Sequence, residues 1–139
     1  MKVLIDANVI LDVLLDRQPW VADSQLVWDA NHQKRIEGYV VATTVTNLFY
    51  IARKLVGQPL AISGVRDCIA AFDVIPVDGT ILNDAAGLPG TDFEDNVTIR
   101  CAVESGMDSI VTRDLQGFVA SPVPAISPAD LIARLPSKT

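Results

Sequence analysis

Histidine and cysteine are scarce in this chain. One His (His32) and two Cys (Cys68 and Cys101) occur in 139 residues. The two cysteines form no close pair, which argues against a disulfide framework and a zinc ribbon. Positive charge is also short: 11 Lys and Arg face 17 Asp and Glu, for a formal net charge of −6. Such a chain does not hold nucleic acid by bulk attraction, so any phosphate chemistry needs metal ions or a local basic face. No apolar run approaches the roughly 20 residues of a membrane span. The opening Met1 to Asp6 reads as a strand rather than a secretion signal, because Asp6 ends the apolar stretch too early. No internal repeat, low-complexity segment or linker appears. What is present is apolar material: half the residues are hydrophobic and a fifth charged, enough for a sizeable core and unlike a disordered acidic tail. The expectation is a reduced, cytoplasmic protein with one domain over residues 1–139.

Strand-like and helix-like patterns alternate. Val3-Leu4-Ile5 is an uninterrupted apolar run suited to a strand buried on both faces. Val9, Ile10, Val13 and Leu14 recur at helical spacing, and Arg17 to Pro19 interrupts them. The pattern then predicts a helix from Val21 to His32 and a strand over Tyr39 to Ala42. Thr43 or Thr44 is expected to cap a helix reaching Val56, and Ala61 to Phe72 forms another amphipathic stretch. A third strand is expected over Asp73 to Val77, at an edge because of Pro76. Asp78 is a cap for a short helix to Ala86, and a helix over Asp92 to Ser105 stops at Gly106. Ser109 to Thr112 is the clearest late strand, followed by a short strand at Ala125-Ile126 and a helix from Ala129 to Leu135. Repeated strand–helix units predict an α/β fold with a mostly parallel sheet covered on both faces.

In such a sheet, ligands bind beyond the carboxyl ends of the strands. Asp6 follows the first strand, Thr43 to Asn47 the second, and Thr112, Arg113 and Asp114 the late one. Asp92, Glu94 and Asp95 open the helix before that strand. Each acid alone fits a helix cap or turn. Together they repel one another unless a cation compensates them. Hard oxygen donors suit Mg²⁺ or Mn²⁺, and the natural chemistry is metal-assisted attack of water on a phosphodiester.

Met1 to Asp12, the segment Asp92-Phe93-Glu94-Asp95-Asn96 and the segment Ile110 to Asp114 together resemble PIN domains, including the VapC toxins of toxin–antitoxin pairs. The resemblance covers essentially the whole chain. It implies a three-layer α/β/α sandwich and an Mg²⁺- or Mn²⁺-dependent ribonuclease. It also implies a small antitoxin partner and a homodimer. Carried onto this chain, Asp6, Asp95 and Asp114 are the metal-binding acids, with Asp95 also placing the attacking water. Asp92 is an additional ligand, Thr112 a hydroxyl that orients a carboxylate or water, and Asn8 a brace for Asp6.

One position departs from the family. Its members carry an acid on the helix after the second strand, and this chain has Asn47 there. An amide brings an oxygen but no negative charge, which should weaken metal binding. The alternative to an active nuclease is therefore a catalytically weakened or inactive RNA- or protein-binding module. Arg113, Arg53 and Lys54 are the candidate RNA contacts. Trp20, Trp28, Phe49 and Tyr50 read as core or partner packing, and the cysteines as buried thiols. A receiver-like signalling domain fits less well, since no lysine follows the late strand. A dinucleotide-binding enzyme fits least, since no Gly-x-Gly-x-x-Gly follows the first strand.

Overall fold

A computed structural model describes residues 1–137. The elements run β1 (Lys2–Ile5), α1 (Ala7–Leu14), α2 (Val21–His32), β2 (Glu37–Val41), α3 (Ala42–Val56) and α4 (Gln58–Ala71). There follow β3 (Asp73–Ile75), α5 (Gly79–Ala86), α6 (Phe93–Glu104), β4 (Ser109–Val111), a one-turn 3-10 helix (Leu115–Phe118), β5 (Ala125–Ile126) and α7 (Pro128–Arg134). The strands form one all-parallel sheet in the order β3-β2-β1-β4-β5. Leu4 sits opposite Tyr39 on one side and Ile110 on the other.

The apolar runs give the strands two buried faces because successive side chains alternate across the sheet. Val3, Ile5, Val40 and Val111 face a core shared with Val9, Ile10, Val27, Leu48 and Leu131 of the helices and with Phe72, which follows α4. Leu4, Val41 and Ile110 face the opposite core, with Ala85, Val97, Cys101 and Ala102 of α5 and α6. The result is the expected α/β/α sandwich. Leu4, Ile5, Ile10, Leu48 and Ile110 are all less than 2 % exposed. Burial of each contributes about 1.5–3 kcal/mol before entropy is counted. No helix of the described residues is long and apolar enough to cross a membrane.

Several boundaries differ from the sequence reading for identifiable reasons. Ala42 is not the end of a strand but the first residue of α3, which follows β2 with no loop and without a side-chain cap. Thr44 is instead buried at 2 % exposure. Helix α4 starts at Gln58 rather than Ala61, because Pro59 lies in its first turn, where a missing N–H costs nothing. Likewise Pro128 opens α7, behind Ser127 as its cap. Strand β3 ends at Ile75, before Pro76, and β3 and β5 are the edges. The turn Leu115–Phe118 has no expected counterpart. Asp78 caps α5 as expected, accepting from the Ile81 N–H at 2.9 Å.

Because all strands run one way, their carboxyl ends share one edge. The strand order reverses there between β1 and β4, since β2 and β3 lie on one side of β1 and β4 and β5 on the other. That topological switch point is where an open α/β sheet leaves a crevice.

Candidate active site

Asp6 leaves β1 at this crevice and is 9 % exposed. It caps α1 by accepting the Ala7 N–H on Oδ1 at 2.8 Å. Its other oxygen accepts from the Thr112 hydroxyl at 2.8 Å and from the Asn8 amide at 3.4 Å. Thr112, fully buried at the end of β4, also accepts from Asn8 at 3.3 Å and from the Asp114 N–H at 2.9 Å. One donated and two accepted bonds use the whole capacity of a hydroxyl. Asn8 Oδ1 takes the Arg113 N–H at 3.2 Å. Thus Asn8 and Thr112 tie the ends of β1 and β4 together and fix the direction of the Asp6 carboxylate.

The other acids come from α6 and from the loop after β4. Asp92 caps α6, accepting the Asp95 N–H at 3.1 Å. Asp114 caps the short turn, accepting the Gly117 N–H at 3.2 Å. A Cβ added at Gly117 would lie 2.7 Å from Asp114 Oδ2 and 2.8 Å from Asp95 Oδ2. Both carboxylates therefore reach over Gly117, and a side chain there would push them out of place. Asn47 on α3 donates its amide to Glu94 Oε2 at 2.6 Å, so a fifth carboxylate joins the group.

Crowding of like charges is visible in the acidities. Burial first, then the charges of Asp92, Asp6, Asp114 and Glu94, push the Asp95 carboxyl up to about 7. Burial also raises Asp6, against the bonds from Thr112 and Ala7, with Asp114 and Asp92 adding to the rise. Glu94 is raised by burial, opposed by the Asn47 bond and reinforced by Asp6 and Asp92. Among the described residues, no three His, Cys, Asp or Glu side chains stand close enough to hold an ion as they are. The donor set nevertheless fits a hard divalent cation in kind: five carboxylates at element ends, no imidazole or thiolate, and mutual repulsion that a cation relieves. Beside Asp92 and Asp95 opens a groove of about 300 Å³, walled by Leu88, Pro89, Ile99 and Val119.

The basic residues are placed differently from one another. Arg113 grips the fully buried Asp12 with two bonds, 2.7 and 3.0 Å, and lies 4.0 Å over the Trp20 ring. Arg17 at 3.1 Å and the Ser24 hydroxyl at 3.0 Å complete the partners of Asp12. The Arg113 guanidinium is thus committed to a strut that fixes the Thr112–Asp114 segment on α1. It is not a free cation beside the acids, as its sequence position suggests. Arg53 and Lys54 lie exposed in the last turn of α3, with Arg53 over the Phe49 and Tyr50 rings. At 1.5 Å per residue they are about 9–11 Å along the helix from Asn47.

The structure therefore brings Asp6, Asp92, Asp95, Asp114, Asn47, Thr112 and Asn8 to one edge. Two participants are inconspicuous in the sequence. Glu94 was legible only as one more acid in Asp92-Phe93-Glu94-Asp95. Asp12 reads as the polar side of α1, and nothing local marks it as the anchor of Arg113.

Comparison with known proteins agrees with this geometry. A profile of the PIN domain matches residues 2–116. No curated protein matches the sequence. Among solved structures, the chain resembles DNA-bound VapBC from Salmonella typhimurium (TM-score 0.71, 17 % identity, 92 % of this chain and 98 % of that one). It also resembles a toxin–antitoxin complex from Klebsiella pneumoniae (0.68, 16 %, 91 % and 97 %). A third similar structure is VapC20 of Mycobacterium tuberculosis, a Sarcin-Ricin loop cleaving toxin (0.71, 9 %, 85 % and 94 %). At these identities the likeness speaks for the fold, while the profile match covers most of the chain. The chain belongs to the PIN-domain family.

Proposed function

We propose that this protein is a metal-dependent endoribonuclease that hydrolyses RNA phosphodiester bonds, and that it is the toxin of a type II toxin–antitoxin pair. Residues 1–139 are read as one such domain. The observation that carries the reading is the convergence of Asp6, Asp92, Glu94, Asp95 and Asp114 at the switch point, with Asp95 pushed up to about 7. Structural proteins avoid such placement unless a ligand compensates it.

Asp6, Asp95 and Asp114 would hold Mg²⁺ or Mn²⁺, with Asp92 beside them. A bound ion supplies an acidified water and offsets charge on the leaving oxygen. The chain's own residues do the rest. Thr112 and the Ala7 N–H hold the Asp6 carboxylate in one orientation, and Asn8 braces both strand ends. Asp95, besides holding the ion, would place the attacking water. Arg53 and Lys54 would meet the RNA backbone beyond the acids. The small antitoxin rests on the family and on the toxin–antitoxin neighbours, and the second copy of the chain on the family resemblance alone. The exposed Tyr50, Leu55 and Leu60 of α3 and α4 offer apolar area for such contacts. Where it acts with such partners, the protein is cytoplasmic.

Asn47 favours a second reading, a weakened or inactive module that binds RNA or protein, because α3 brings no charge to the site. Purified protein incubated with mixed RNA in Mg²⁺, Mn²⁺ or chelator separates the two. The nuclease cuts with metal, and stops on chelation and on Asp95→Asn. A binding module retains RNA through both and cuts nothing.

A further inference from the structure

Glu94 is turned in a direction that helix physics does not require. It is the second residue of α6, where a carboxylate gains from the free N–H groups and the helix dipole. That gain is available to a side chain directed outward, and its neighbour Phe93 is 50 % exposed. Glu94 instead is half-buried and reaches across to α3, where the Asn47 amide donates to Oε2 at 2.6 Å. Asp92 caps the same helix and Asp95 is the next residue, so like charges flank it. Facing two like charges is unfavourable, and one bond from a neutral amide is a modest return. A cation between these acids reverses the balance. Helix α3, for its part, carries no acid along its whole length. What it contributes at this edge is the Asn47 amide, and that amide fixes Glu94 while leaving its second oxygen without a partner among the bonds of the described residues.

We propose that Glu94 is a metal-holding carboxylate of this centre, supplied by α6 where α3 supplies none, and that Asn47 is the positioning residue that turns it inward. This rests on the metal-dependent reading above. Asn47 is then no sign of a retired site; the charge has moved from one helix to its neighbour.

The test is Mn²⁺ binding to the full chain, by calorimetry and by electron paramagnetic resonance of the bound ion, with melting curves to confirm folding. Glu94→Gln keeps the shape and still accepts from Asn47, so a role as an interhelical clasp is preserved while the charge is lost. It is expected to weaken Mn²⁺ binding by about tenfold or more. Asn47→Ala is expected to weaken it several-fold and to alter the spectrum of the bound ion with little change in melting temperature. The double variant Glu94→Gln with Asn47→Glu, which returns an acid from α3, is expected to recover most of the loss. Asp67→Asn removes the same charge from the exposed side of α4 and should leave affinity unchanged. The proposal is overturned if Glu94→Gln binds like the native chain while Asp95→Asn does not bind, an outcome that leaves the nuclease reading intact. It is equally overturned if Asp67→Asn weakens binding as much as Glu94→Gln, since the effect is then one of overall charge. A native chain that binds no Mn²⁺ sinks this proposal and the metal-dependent reading together.

Discussion

Removing the central acid should make the metal-free protein more stable. In the unfolded chain an aspartate loses its proton near pH 4, whereas Asp95 in the folded protein does so at about 7. Below both values each state holds the proton, and Asp95 costs the fold nothing. As pH rises from about 4 to 7 the folded state must give up a proton it holds more tightly, so stability falls, and above 7 the full cost is present. Three decades of proton affinity amount to about 4 kcal/mol in a sealed site. Asp95 is only part-buried and water screens it, so about 1–2 kcal/mol is the expected cost. The side chain accepts no hydrogen bond among the described residues, so Asp95→Asn leaves no protein donor unpaired. Calorimetric melting in chelator at pH 8 should show Asp95→Asn above the native chain by about 3–8 °C. Near pH 4 the two should coincide. Adding millimolar Mg²⁺ should raise the native chain and leave the variant nearly unmoved, as expected when a ligand binds the folded state alone. A variant that melts at or below the native chain at pH 8 without metal would refute the claim that these acids are held together against their repulsion.

Other consequences follow from the same geometry. Asp12→Ala strips Arg113, Arg17 and Ser24 of their buried acceptor, and should cost about 2–4 kcal/mol in urea unfolding, with a change in Trp20 fluorescence as the guanidinium leaves its ring. Gly117→Ala forces a Cβ against Asp95 and Asp114, and should lower metal-dependent cleavage by about 10²-fold at nearly native melting temperature. Burial pushes the Cys68 thiol up to about 12 and Cys101 up to about 11, so a colorimetric thiol reagent at pH 8 should react only after unfolding.

The parallel sheet was legible because Val3-Leu4-Ile5 and Ser109-Ile110-Val111 are uninterrupted, the mark of strands covered on both faces. The acids at their ends were legible because a parallel sheet sends every strand end to one edge. What the chain order concealed was contact across it. Arg113 stands next to Asp114, yet its charge is spent on Asp12, 101 positions away. Asn47 reads along the chain as a missing acid. Only the α3–α6 approach reveals that its amide holds Glu94. The helix starts at Gln58 and Pro128 were missed for a local reason, since a proline in a first turn looks like a breaker in a one-dimensional pattern.

The central claim is that water, placed by these acids, attacks the phosphodiester. It is tested most directly by the ends left on a cleaved, end-labelled RNA. Hydrolysis at this centre predicts fragments free of 2′,3′-cyclic phosphate, formed only with Mg²⁺ or Mn²⁺ and absent with Asp95→Asn. Fragments ending in a cyclic phosphate, made equally well in chelator, would mean that the RNA's own 2′-hydroxyl is the nucleophile and would contradict the account.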